Sequence, residues 1–218
     1  HLAEEPNRHK VNNIGNKYVK ESAEVLQNLV RRFNGNVIYA SSGSVYGDKV
    51  RTPFTVDAPT YASDIYSESK LINEDIVLQS GGMVLRLANI YGLGMSRDNV
   101  ISDIIKQMNN CNQVIVNDTS PIRDFISVLD VAELFKITTN KRFNSIVNVG
   151  SGVPISIYQL IELMLIYTNQ SDKKIVSINS SNKISVNVLN IDETTKLFNW
   201  KPTRNLMEQL HSLLTIYK

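Results

Sequence analysis

The stretch VIYASSGSVYG, residues 37–47, begins as an apolar run and ends among serines and glycines. Its first part, VIYAS (37–41), has the length and the β-branched and aromatic character of a short buried strand, and NGN (34–36) stops the segment before it. Helical patterns flank the strand on both sides. Apolar residues recur at helical spacing from Arg8 to Phe33 (Val11, Ile14, Tyr18, Val25, Leu26, Leu29, Val30, Phe33), which predicts one long amphipathic helix. A loop with Pro53 and Pro59 leads into a second helix expected over 61–79; SGG (80–82) breaks it, and MVLRLAN (83–89) reads as another buried strand. Strand, long helix and strand in alternation indicate a parallel α/β sheet.

Beyond Tyr91 the texture changes. Helices are expected at 98–109, 130–139, 156–168, 193–199 and 204–216, and strands at 113–116, 123–128, 145–150 and 174–178. The alternation is less regular and the loops are longer. The expected fold class is therefore α/β, with a second lobe that shares strands with the first.

Composition narrows the function classes. The 218 residues are 42% hydrophobic and 20% charged, as in an ordinary globular protein with a sizeable core. A net charge of +2 without a basic block argues against a nucleic-acid partner. The longest apolar run, LIELMLIY (160–167), is too short to cross a membrane, so no membrane partner is expected. Cys111 stands alone, which leaves no disulfide framework or cysteine-based zinc site and fits a cytoplasmic location. His1, His9 and His211 show no metal-ligand spacing, so no metal is expected. The chain opens HLAEEP without an initiator methionine, as a fragment or a processed chain would.

Two motifs carry chemistry. YASSGSVYG (39–47) is either a polar turn after a strand or the edge of a ligand site, since ligands in open α/β sheets lie beyond the carboxyl ends of the strands. Ser42 would then sit at that edge. YSESK (66–70) sets Tyr66 and Lys70 four apart on a helix, either as a catalytic pair or as two residues sharing a face. Serine, tyrosine and lysine together suit proton transfer coupled to hydride transfer at a secondary alcohol. A phenol of reference pKa about 10 needs roughly 4 kcal/mol of help to act as a base near neutrality. A nearby ammonium and a cationic nicotinamide both supply it. GSG (150–152) has a strand before it and a helix after it, but Ile155 stands where a dinucleotide fingerprint needs its third glycine, and Pro154 sits in the turn. It is rejected as the cofactor site.

HLA (1–3), YASSGSVYG (39–47), YSESK (66–70), LRLANIYGLG (85–94), RDFISVLDVA (123–132), VNVGSGVPISI (147–157) and LFNWKP (197–202), taken together and in this order, resemble the extended short-chain dehydrogenase/reductase family. The closer resemblance is to its NAD-dependent nucleotide-sugar epimerase/dehydratase branch. It implies the C-terminal part of a Rossmann-type doubly wound parallel sheet, with a smaller mixed α/β substrate lobe. Residues 1–92 would be a partial NAD-binding domain, and 93–218 mainly the substrate lobe, with some segments returning to the sheet. By the same resemblance Tyr66 is the catalytic base, Lys70 its electrostatic partner and ribose ligand, and Ser42 the hydroxyl that orients the sugar. Ala3 would lie near the cofactor, NAD or NADP, and Asn16 best matches the family asparagine on the preceding helix. Asn89 and Arg123 would contact the pyrophosphate of a nucleotide-sugar substrate; otherwise Arg123 reads as a surface residue paired with Asp124. GSG would be a structural turn of the substrate lobe, and the two long helices would form a homodimer bundle.

Three departures qualify the resemblance. The glycine-rich loop and first strands of the family would precede HLA, so this chain is expected to be the C-terminal two-thirds of a longer enzyme, to bind NAD weakly by itself and to leave VIYAS short of a neighbouring strand. Gly43 and Ser44 stand where 4,6-dehydratases carry an Asp-Glu pair, which disfavours elimination and leaves an epimerase or a ketoreductase. NKISVNV (182–188) lacks the arginine and aspartate with which relatives grip the nucleotide, and Lys183 offers only a point charge in their place.

Overall fold

The computed structural model describes residues 1–48, 53–110, 112–141, 143–179 and 184–216. The predicted strand at 37–41 is β1 (Ile38–Ser42), and that at 83–89 is divided into β2 (Met83–Leu87) and β3 (Asn89–Tyr91). β1, β2 and β6 (Ile146–Val149) form a three-stranded parallel sheet in the order β1-β2-β6. On its other edge β1 meets the first residue, whose amine donates to the Ile38 carbonyl at 2.6 Å.

Period-two alternation along β2 explains the layers. Met83, Leu85 and Leu87 face α5 (Val128–Thr138) and α7 (Asp192–Phe198), where they pack with Leu134, Val147, Phe198 and Trp200. Val84 faces the opposite side, joining Leu26 and Val30 of α2 (Asn16–Arg32) and Val77 of α3 (Ile65–Gln79). Arg86 falls on the α3 side as well. It is 4% exposed and pairs with Glu74, Nη2 to Oε2 at 2.7 Å.

The helix expected over 8–33 is instead two. Gly15, at φ 71°, ends α1 (Arg8–Ile14) and begins α2, and that backbone conformation is open to glycine where a side chain would be strained. The break turns α1 toward the start of α3.

The second lobe is built on α4 (Val100–Asn110), α6 (Ile157–Tyr167) and α8 (Leu206–Ile216), which bury Ile104, Met108, Leu160, Ile161, Met164 and Leu210 together. β4 (Gln113–Val116) pairs with β8 (Lys174–Ser177). β5 (Ile122–Ser127) lies between β3 and β7 (Pro154–Ser156) and also meets β9 (Val186–Asn187). β7 and β9, of three and two residues, are too short for their sequence to announce. GSG was expected to be a turn of the second lobe; the strand that delivers it, β6, is a member of the first sheet, where it completes the second edge of β2.

Candidate active site

The sheet and α3 bring the chemistry together. Ser42 ends β1 opposite Leu87, the last residue of β2, and Ala88 and Asn89 follow it. A 3-10 turn, Gly43–Tyr46, leaves from Ser42, whose hydroxyl accepts from Ser44 N at 3.2 Å. α3 starts on a capping box: the Asp64 side chain accepts from Ser67 N at 2.9 Å, and Asp64 N donates to Ser67 Oγ at 3.2 Å. Tyr66 is thereby fixed in the first turn and Lys70 one turn on. The face that α3 turns inward continues with Asn73 and Glu74, so a helix packed on the core presents polar groups where apolar ones are usual.

Glu4 accounts for Lys70 and Asn73 on that face, and Glu74 is held instead by Arg86 and Ser41. Its carboxylate pairs with Lys70 and accepts from Asn73 Nδ2 at 2.8 Å, Ser22 Oγ at 2.9 Å and the Tyr39 hydroxyl at 3.0 Å. Burial, reinforced by Glu4, pushes the Tyr39 phenol far above its ordinary value and keeps it a neutral donor. The Lys70 ammonium also donates to the Ala40 carbonyl at 3.0 Å and lies 5.6 Å from the centre of the Tyr66 ring. Among the described residues the Tyr66 hydroxyl has no hydrogen-bond partner.

Two cavities open at this edge. The larger, about 460 Å³, has Ser42, Tyr66, Lys70 and Glu4 on its walls, with Leu87, Ala88 and Val128 as apolar surface. The smaller, about 120 Å³, shares Ser42, Leu87, Ala88 and Asn89 with it and extends to Arg123, Asn187 and Arg8. Arg123 is half-buried, and its Nη1 donates to the carbonyls of Ile122 at 2.9 Å and Ser185 at 3.0 Å.

The family model of the NAD dependent epimerase/dehydratase family matches residues 1–150. The chain belongs to this family. A provisionally named UDP-glucose 4-epimerase of Methanocaldococcus jannaschii is 26% identical over 202 residues, covering 87% of this chain and 66% of that protein. The dTDP-4-dehydro-6-deoxyglucose reductase of Escherichia coli is 26% identical over 199 residues, 86% of this chain and 63% of the other. The chain thus spans slightly under two-thirds of the length of these curated relatives. The structure of RMD from Pseudomonas aeruginosa complexed with NADPH superposes with a TM-score of 0.89 at 26% identity, covering all of this chain and 80% of that one. The α/β architecture is the Rossmann type, and the family's cofactor is NAD or NADPH.

Against this epimerase/dehydratase background, the residues singled out by sequence fall into three groups. Ser42, Tyr66 and Lys70 share the larger cavity, and Asn89 and Arg123 share the smaller one. The alternative partner for Arg123 is ruled out: Asp124 is fully buried and accepts from Ser151 N, Gly152 N and Leu189 N. Ala3 and Asn16 are exposed; Ala3 borders a shallow recess beside Tyr18 and Ser22, while its neighbours Leu2 and Glu4 line the larger cavity. The asparagine that reaches the Tyr66 helix is Asn12, one turn before Asn16: its Oδ1 accepts from Tyr66 N at 3.0 Å and its Nδ2 donates to Asp64 at 3.0 Å. Lys183 lies outside the described residues.

Sequence reading missed Glu4, Asn12 and Arg8. Glu4 had a signal: helix 61–79 carries Lys70, Asn73 and Glu74 on its inward stripe, which calls for buried partners. Asn12 and Arg8 had none, because the break at Gly15 decides where they point.

Proposed function

We propose that this chain carries the catalytic residues of an NAD(P)-dependent nucleotide-sugar epimerase. The observation that supports the reading most is the grouping of Ser42, Tyr66 and Lys70 on one cavity, with the Lys70 ammonium 5.6 Å from the Tyr66 ring. A nicotinamide cofactor, when bound, exchanges hydride with the sugar carbon. The residues suit it: Lys70 spends two of its three donors on Glu4 and Ala40, which leaves one for a ribose hydroxyl, and Leu87, Ala88 and Val128 offer apolar surface to a flat ring. Tyr66 takes the proton of the sugar hydroxyl as its carbon loses hydride, and returns it after the keto sugar has presented its other face. Ser42 holds the reacting oxygen, and the Lys70 charge stabilises the phenolate. Gly43 and Ser44 supply no acid or base for elimination.

Arg123 and Asn89 bind the substrate's pyrophosphate in this reading. Replacing Tyr66 by Phe is expected to lower turnover by about 10²–10⁴ while the circular dichroism spectrum stays unchanged; retention of activity refutes the assignment. A homodimer through α2 and α3 belongs to the same proposal. Val25 and Phe33, 51% and 55% exposed on and at the end of α2, suit such a contact.

A 4-ketoreductase using the same three residues in one direction is the second reading, favoured by the similarity to the reductase of Escherichia coli. Turnover without added nicotinamide supports the epimerase, and strict consumption of NADPH supports the reductase.

A further inference from the structure

The smaller cavity has a guanidinium on each of two walls, Arg123 from β5 and Arg8 from α1. We propose that Arg8 acts with Arg123 to hold a phosphoryl group of the substrate's diphosphate, an inference that rests on the nucleotide-sugar reading above. Arg8 is aimed by its neighbours: its Nε pairs with Asp64, the cap of α3, and its Nη2 donates to Ser63 Oγ at 3.3 Å. Asn12 ties α1 to the same cap, so the arginine and the start of the Tyr66 helix form one assembly.

Of the two guanidiniums only that of Arg8 has a carboxylate partner among the described residues. Arg123 has no carboxylate within ion-pairing distance among the described residues, and its described bonds all leave from Nη1, so Nε and Nη2 remain available. Burial is the largest influence against its cation; Asp48 and, more weakly, Asp118 favour the charge, and Arg8 opposes it. Asp48, on the same wall, is engaged by the Ser185 hydroxyl at 2.8 Å. Ser44 also lines this space, and its buried hydroxyl has no hydrogen-bond partner among the described residues. An anion between the two guanidiniums gives Arg123 the counter-charge it lacks and takes up its Nε and Nη2, and a phosphoryl group matches the planar fork of each. Residues 182–188 supply no arginine. The second guanidinium comes from the opposite end of the chain.

The test is calorimetric titration of the purified chain at low salt with two probes, inorganic pyrophosphate and UDP, and with UDP-glucuronate for comparison. Arg8→Gln is expected to weaken both by at least about fivefold, Arg8→Lys by less, and Arg123→Gln by at least as much as Arg8→Gln. Arg31→Gln, at the far end of α2, is expected to bind as the parent does. The lysine variant keeps a cation beside Asp64 and guards against a loss caused by misfolding. If Arg8→Gln stays within about twofold of the parent while Arg123→Gln loses binding, the role of Arg8 is overturned and the nucleotide-sugar reading stands. If neither probe binds the parent, both fall. If UDP is unaffected by Arg8→Gln and only UDP-glucuronate is weakened, Arg8 grips a sugar carboxylate and the phosphoryl assignment is overturned.

Discussion

Glu4→Gln removes the negative charge at the centre of the polar cluster and changes little else in shape. In the parent, Lys70 and Glu4 have side chains 9% and 10% exposed, so this is a buried pair. Removing one partner of such a pair costs about 3–5 kcal/mol, because the other is left as an unpaired charge. Glutamine keeps one acceptor oxygen but turns an amide toward donors, since Asn73 Nδ2, Ser22 Oγ and the Tyr39 hydroxyl all point at this side chain. Lys70 keeps the Ala40 carbonyl. Allowing for that bond and the residual exposure, a loss of about 2–4 kcal/mol is expected. For a chain of this size that lowers the melting midpoint by about 5–15 °C. Lys70→Met leaves the carboxylate with three neutral donors and is expected to cost less, about 1–3 kcal/mol. The double variant, with neither charge, is expected to be at least about 1 kcal/mol more stable than the sum of the single losses implies. Urea unfolding of the four proteins measures the cycle. Single variants within about 0.5 kcal/mol of the parent, or strict additivity, refute the coupling of Glu4 to Lys70.

Arg86→Met strands Glu74, 2% exposed at its side chain, with Ser41 as its remaining side-chain partner, and is expected to cost about 3–5 kcal/mol in urea unfolding. A loss below about 1 kcal/mol contradicts a structural role for this pair. At Asp64 burial is the largest influence and opposes ionisation, but the bonds from Arg8, Ser67 and Asn12 outweigh it and hold the carboxyl below its ordinary range. Its contribution to stability is therefore present above the unfolded pKa of about 3.9 and is lost as pH falls. The stability gap between the parent and Asp64→Asn is expected to narrow between pH 6 and pH 3; a gap that widens on acidification refutes this.

The sheet was legible because its strands are short apolar runs set between glycine breaks, and the pattern from 37 to 89 needed no long-range information. Ser42, Tyr66 and Lys70 were legible because strand ends and helical spacing are local properties. The division at Gly15 was not, since apolar spacing continues through Ile14 and Tyr18 on either side of it. Only a positive φ at one residue redirects Asn12 and Arg8 toward α3. That some later strand returns to the first sheet was expected, but that it is SIVNVG was not legible, because it pairs with a strand some sixty residues earlier.

Arg123 and Asp124 stand side by side in β5 with opposite allegiances. One reaches toward the smaller cavity, while the other holds Ser151, Gly152 and Leu189 from inside the fold. The Gly150 position allows this closeness, since a Cβ there would lie 2.3 Å from an Asp124 carboxylate oxygen. Neighbouring side chains of one strand thus divide the work between two places: Asp124 fastens the turn after β6 and the Leu189 backbone, while Arg123 keeps part of its fork on a cavity wall and spends Nη1 on the Ile122 and Ser185 carbonyls. A dipeptide that looks like one ion pair has two separate sets of partners.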